Sequence, residues 1–382
     1  MKHYKRILSA VVLTVVSASA DAASSVEARS LGMGNVRVAT ADIATAPFAN
    51  PGMLAYQSSR EDFSLLIGVG AFVNDNDDLV SKIDDFQTAY ENGQAGDVNE
   101  ALRALDLAQS MLGDVISPDV TALLSTGFSG EQWAFAVSAR ADAVAAGTVT
   151  TSSFIDPDQY ELVLEGALTT ELGASLARNF QLFGQKAAIG VKPKYVKVDN
   201  VYVRESIVTV DTGLGDLVND SSKDLGDYTS LDIGFVMGLT EHMQIGLVAT
   251  NLVTHKINYI DAAGNPATLS FDTQARLGVA YRSQFLTLGA DLDLIENDAL
   301  LTSANFQALK SQFVSVGGEF NLFDFMQLRI GAQKNIADGI ADAAKDTLYT
   351  AGVGLWFGFN LDAALIAQND SVGGFLQTGF RF

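Results

Sequence analysis

The chain has 382 residues, of which 48% are hydrophobic and only 18% charged, with 34 glycines, no cysteine and a formal net charge of -21. Such acidity excludes a nucleic-acid partner, because neutralising a phosphate backbone needs a basic footprint. The lack of cysteine excludes disulfides, thiol redox chemistry and cysteine metal sites, and suits an oxidising periplasm.

Residues 1–22 read as a signal peptide: a basic MKHYKR, the apolar ILSAVVLTVVSA and a small-residue cleavage site. The pair before the cut is Ala20/Ala22 or Ala18/Ala20, the first placing cleavage after Ala22. The apolar run falls short of the roughly 20 residues that a spanning helix needs. Beyond it the apolar residues never gather into a run of about 18 or more, so the hydrophobicity is dispersed in short pieces. In lipid only helices and closed barrels satisfy every backbone polar group.

Residues 23–60 are expected to form an N-terminal hatch. The stretch 28–55 is rich in small residues, with Gly32, Gly34 and Gly52 as permissive points and Pro47 and Pro51 as stiff ones. The first strand is expected over 62–72, opening a barrel that runs over 61–382. Leu79, Ile83, Phe86 and Tyr90, then Ala101, Leu105, Ala108 and Leu112, are spaced by three or four. This predicts two helices broken at NGQAGD (92–97), inserted at about 75–115. Asp75, Asp77 and Asp78 supply hard oxygen ligands, but the full calcium-loop pattern is missing and a solvated acidic loop is the commoner use of such residues.

From about residue 120 onward, period-2 segments alternate with polar turns. In 271–282, Phe271, Thr273, Ala275, Leu277, Val279 and Tyr281 share one face, opposite Asp272, Gln274, Arg276, Gly278, Ala280 and Arg282. The first face suits lipid and the second a polar lumen. Leu231 to Leu239, Leu286 to Leu294, Val314 to Leu322, Met326 to Ile330 and Tyr349 to Phe357 repeat the pattern. Short turns at 130–131, 240–241 and 323–324 contrast with polar loops at 211–229, 256–270, 296–311 and 334–346, one rim short and the other long. The final GFLQTGFRF alternates and ends on Phe382, resembling the signal read by the barrel-assembly machinery. The fold class is therefore all-β: an outer-membrane antiparallel β-barrel of about 14 strands with an N-terminal hatch and a helical insertion. A soluble β-sandwich would alternate too, but its outward faces would be the polar ones.

The run ARSLGMGNVRVATADIATAPFANPG resembles the N-terminus of the FadL-like outer-membrane barrels, with Gly32, Met33, Gly34, Asn50 and Pro51 at the matching positions. Within that superfamily, RSLGMGN, ANP, the acidic DNDD, IDDFQ and WAFAVS are similar to proteins labelled conjugal transfer protein TraF, plasmid transfer operon barrels distinct from the thioredoxin-like pilus-assembly protein of that name. The resemblance covers nearly the whole mature chain. It implies a hatch inside a fourteen-stranded barrel and passive, hatch-gated uptake of small hydrophobic compounds such as fatty acids or aromatics. The alternative is an envelope structural or interaction protein linked to conjugal transfer.

No catalytic set stands out, and the chain is not expected to be an enzyme. His242 and His255 are thirteen residues apart and read as scattered rim histidines. There is no G-x-S-x-G elbow and no three-ligand metal spacing, so no cofactor or metal is expected. The ligand pathway is expected at Gly32, Met33, Gly34, Asn50 and Pro51, together with inward Arg276, Arg282 and Arg329. Those arginines would either anchor a ligand carboxylate or pair with inward Asp272, Asp291, Asp293 and Glu319, the commoner arrangement in a polar lumen. The expected setting is the cell outer membrane, with membrane lipid, a small hydrophobic ligand and the barrel-assembly machinery as partners, no nucleic acid, and a monomeric state.

Overall fold

A computed structural model describes residues 27–56, 62–75, 77–210, 223–260, 266–298, 301–302, 310–322, 325–338, 347–368 and 371–381. The expected signal peptide at 1–22, the expected turn at 323–324 and Phe382 lie outside the described residues.

In chain order the elements begin with three short helices, α1 (Ala28–Gly32), α2 (Ala46–Ala49) and α3 (Met53–Tyr56). Then follow β1 (Phe63–Asn74), α4 (Leu79–Gln94), α5 (Val98–Ser110), β2 (Val115–Ser129), β3 (Trp133–Thr151), β4 (Tyr160–Leu182), β5 (Gln185–Ser206), β6 (Lys223–Gly238) and β7 (Met243–Thr250). The rest are strands: β8 (His255–Ile260), β9 (Pro266–Phe271), β10 (Gln274–Arg282), β11 (Leu286–Asp293), β12 (Leu301–Thr302), β13 (Phe313–Leu322), β14 (Met326–Asn335), β15 (Leu348–Trp356), β16 (Asn360–Gln368) and β17 (Ser371–Arg381).

Among the described residues, fourteen strands close into one antiparallel barrel, while β8, β9 and β12 form a separate small sheet. The seam is β1 against β17, in register from Ser64 opposite Arg381 to Ala71 opposite Gly374. Closure leaves no sheet edge, which is what lipid demands of strands. Period 2 then sorts the side chains. Ile67, Leu124, Leu176, Ile189, Leu288 and Leu328 point outward and are exposed, whereas Asp232, Asp291, Glu319, Arg329 and Asp362 point inward and are buried.

Short turns gather at one rim. Phe183 and Gly184 both have positive φ, 52° and 79°, so the β4–β5 turn has the twist that joins adjacent antiparallel strands tightly. This rim carries exposed Phe128, Trp133, Phe183, Phe285, Phe325, Phe357 and Phe380. Aromatic rings at that height form the girdle expected where hydrocarbon meets water. Arg178 stacks over Trp133 at 5.1 Å.

At the opposite rim β3, β4 and β5 run for 19, 23 and 22 residues. That is about twice what a tilted strand needs to cross a bilayer. Their projecting ends support α4 and α5. Leu79, Ile83 and Phe86 of α4 and Ala104, Ala108 and Met111 of α5 and its end pack on Val149, Tyr160, Leu164, Val203 and Ile207. Asp75 caps α4 by accepting from the Leu79 and Val80 N–H groups, and Asp97 caps α5 by accepting from Asn99 and Glu100.

Three details depart from the sequence reading. The segment 271–282 is not one strand. The chain re-enters the barrel between Phe271 and Gln274, and Phe271 is buried on Tyr228 at 5.0 Å between ring centres instead of facing lipid. The expected loop 256–270 holds the β8–β9 hairpin, whose Ile257, Leu269 and Phe271 close an apolar cluster with Ala167, Val196 and Val198. Finally, α5 buries the expected Ala108 together with Ala104, with Leu107 and Leu112 packed beside them, whereas Ala101 is exposed and Leu105 only half-buried. Helix α5 is apolar on more than one side, so periodicity alone does not choose its inner face.

Candidate functional site

The candidate site is the lumen. Residues 27–56, called the inner segment below, are almost all buried and meet the inward faces of the barrel wall. The segment is seated by backbone, by hydrogen bonds and by ion pairs.

The backbone seating depends on inward glycines. A β-carbon at Gly317 would lie 2.0 Å from the Met33 carbonyl oxygen, and one at Gly331 would lie 2.1 Å from the Gly34 nitrogen. Gly34 itself has φ +69°, and its N–H donates to Thr350 Oγ1 at 2.8 Å. Gly32 sits against Gly352 and the Arg329 side chain. A second seat holds Asn50 and Pro51. Gly190 would bring a β-carbon 2.3 Å from the Pro51 carbonyl carbon, and Gly234 would bring one 1.9 Å from Asn50 Oδ1. Asn50 Nδ2 donates to the Val38 and Phe235 carbonyls at 2.9 and 3.1 Å, while Asn50 Oδ1 accepts from Gly52 N–H at 3.0 Å. Inward glycine thus provides room for another backbone.

The polar seating is distributed around the wall. Asp291 Oδ2 accepts from the Arg37 and Val38 N–H groups at 2.7 and 3.0 Å. Gln377 accepts from Ala28 N–H, and Ser125 donates to the Ala44 carbonyl. The strongest tie is ionic. Arg29 forks onto Glu319 with 2.8 and 3.0 Å contacts, and Glu319 also accepts from Arg329 Nε at 2.8 Å. Arg329 in turn donates to Asp362 Oδ1 at 2.6 Å. Arg29 and Arg282 both donate to the Thr40 carbonyl, at 2.6 and 2.9 Å. Forked, charge-assisted bonds of this kind fix geometry as well as adding energy.

Next to the inner segment is a cavity of about 90 Å³. Arg37, Arg140, Lys192, Lys194 and Arg276 line it, with Asp142, Glu171, Asp232 and Asp293 as counter-charges. Lys192 and Lys194 bridge to Glu171 at 2.5 and 3.2 Å, Lys194 reaches Asp232 at 2.9 Å, Arg140 meets Asp142 at 2.6 Å, and Arg276 pairs with Asp293. On the inner segment, Arg37 faces this cavity beside Arg276 and Arg140, with Asp293 as a counter-charge. Small-ligand sites commonly enclose roughly 300–1,000 Å³ with mainly apolar walls. With the inner segment seated, this cavity is smaller and far more polar.

Among the residues expected on a ligand pathway, Gly32, Met33, Gly34, Asn50 and Pro51 all lie in the buried seats of the inner segment. Arg329 belongs to the Glu319–Asp362 network, Arg282 faces the Thr40 carbonyl, and Arg276 borders the cavity beside Asp293. The three arginines do not share one site. His242 faces the Arg282 carbonyl at the short-turn rim, whereas His255 stacks on Tyr228 at 4.8 Å. Arg29, Arg37, Arg140, Glu171, Lys192, Lys194 and Asp362 also belong to the site and carry no motif in the sequence. Their signal was inward parity along a strand, or in the case of Arg29 and Arg37 a charge set in a small-residue run.

A fourteen-stranded barrel closed around its own N-terminal segment defines the fold class, and solved barrels share it. The Ralstonia pickettii toluene transporter TbuX matches with a TM-score of 0.56 at 13% identity, covering 94% of this chain and 99% of that one. The Pseudomonas putida toluene transporter TodX gives 0.51 at 12%, over 96% and 98%. A Pseudomonas aeruginosa FadL homologue gives 0.53 at 14%, over 97% and 99%. The family model described as F plasmid transfer operon, TraF, protein matches residues 47–293, and the chain belongs to that family. No curated protein matches it in sequence.

Proposed function

We propose that this chain is an outer-membrane channel for the passive uptake of small hydrophobic compounds such as fatty acids or aromatics, with residues 23–60 as its hatch. The observation that carries the reading is the seating of the inner segment. Its backbone rests on inward glycines and its charges on wall residues, a fit that occupies the lumen although, among the described residues, the segment pairs with no strand of the sheet. The structural likeness to barrels described as toluene transporters supports the substrate class. In the seated state the cavity beside the segment is small and charged, so passage along that route requires the segment to move. The protein on this reading is a monomeric, non-catalytic barrel, surrounded by lipid at its apolar belt and delivered by the barrel-assembly machinery.

The test is flux into liposomes containing the refolded barrel, using labelled fatty acids and small aromatic hydrocarbons, beside a variant lacking residues 28–55. Saturable flux that changes when the segment is removed supports the channel. No flux above empty liposomes from a correctly folded barrel overturns it. Family membership favours a second reading, an envelope interaction protein linked to conjugal transfer, and a flux-free barrel is the outcome that reading predicts.

A further inference from the structure

Helix α5 has more apolar surface than it buries. Its inner seam, Ala104, Leu107, Ala108 and Met111, packs against α4 and the projecting strands. A second row, Val98, Leu102 and Leu105, lies at spacings of four and three on another side. Val98 is 72% and Leu102 63% exposed, and Leu105 is half-buried. The row continues onto the β3–β4 connection. Gln109, four residues beyond Leu105, donates to the Phe154 carbonyl at 2.9 Å, and Phe154 and Ile155 are 66% and 82% exposed. The Tyr160 hydroxyl also bonds that carbonyl, so the two aromatic and branched side chains are presented on an anchored turn. Isolated exposed hydrophobes are ordinary, but four large ones on one projecting cap, linked through the Gln109–Phe154 bond, mark a contact surface.

The charge around this row identifies what would cover it. Residues 75–114 hold ten Asp and Glu against Lys82 and Arg103 alone, and Asp156 and Asp158 flank Phe154 and Ile155. A second copy of the chain would set this acidic surface against itself, and an anionic lipid surface would be repelled in the same way. A basic amphipathic segment has the complementary pattern, with an apolar face for Leu102 and Ile155 and cations for the acidic rim. We propose that the cap of this barrel docks a basic amphipathic segment of another protein along Val98, Leu102, Phe154 and Ile155. This goes beyond the channel reading and stands whether or not the barrel conducts.

The absence of cysteine makes the test clean. Leu102→Cys, Ile155→Cys and Phe183→Cys are each placed in the full-length barrel in phosphatidylcholine nanodiscs and labelled with a maleimide. The probe is an amphipathic Leu/Lys helical peptide, with a Leu/Glu peptide as its counterpart. The basic peptide is expected to slow labelling at positions 102 and 155 by about tenfold or more, to leave position 183 at the far rim unchanged, and to lose its effect when Asp106 and Asp156 become Asn. Four results overturn the proposal: equal protection at position 183, protection by the acidic peptide, protection that rises with barrel concentration alone, or no protection at all.

Discussion

Replacing Gly331 with alanine tests whether the inner segment is held by close backbone approach. The added methyl would stand 2.1 Å from the Gly34 nitrogen and 2.2 Å from the Met33 carbonyl carbon. Both are main-chain atoms, so no side-chain rotation relieves the clash, and Gly34 is further fixed by its bond to Thr350. Overpacking of this kind costs about 1–3 kcal/mol. The penalty falls on the seated state alone, because the methyl points into an open lumen once the segment leaves. A bias of that size shifts a two-state equilibrium by about 5- to 150-fold. Gly331→Ala is therefore expected to raise basal solute flux in liposomes and to speed tryptic cutting at Arg29 and Arg37, while the barrel keeps its heat-modifiable mobility on gels. Unchanged flux and unchanged cutting in an intact barrel would refute the reasoning.

Two further outcomes follow from the same geometry. Glu319→Gln removes the carboxylate shared by Arg29 and Arg329, and breaking a buried ion pair in this way costs about 3–5 kcal/mol; tryptic cutting at Arg29 should speed up, and unaltered protection would show that the ion pairs do not hold the segment. Phe86→Ala empties the centre of the helical cap, where truncating a phenylalanine costs about 3–5 kcal/mol; amide exchange over residues 79–110 should rise while the barrel strands stay protected, and exchange spreading into β14–β16 would contradict an independently packed cap.

The barrel was legible because lipid enforces a strict period of two. Leu286 to Leu294 and Met326 to Ile330 alternate as read, and the strand count follows from repeating that pattern. Alternation does not reveal where a strand leaves the barrel. Phe271 continues the rhythm of β10, yet Asp272 and Thr273 separate it into another sheet, and no glycine or proline marks the break. Nor did the polar loop character of 256–270 betray a hairpin, since its buried Ile257 and Leu269 are few and are recruited by Tyr228 and Val196 from distant strands. In the lumen, Gly34 and Asn50 could be picked out as local sequence features. Their seats could not, because Gly317 and Gly234 differ from the other inward glycines only in what approaches them. The Arg29–Glu319 pair spans 290 residues, and no single-sequence pattern assigns a partner at that separation.

The seam between β1 and β17 also sets an order of events in biogenesis. The inner segment is among the first parts of the chain to be synthesised, yet its Ala28 N–H bonds Gln377 and its Asp42 meets Arg381, both on the last strand. Those contacts do not exist until the barrel is about to shut. The earliest-made segment therefore cannot complete its seating until the step that joins the two ends of the sheet. Contacts so remote in sequence make for slow closure. The vulnerable intermediate is an almost complete cylinder with an open slit and an unlodged core.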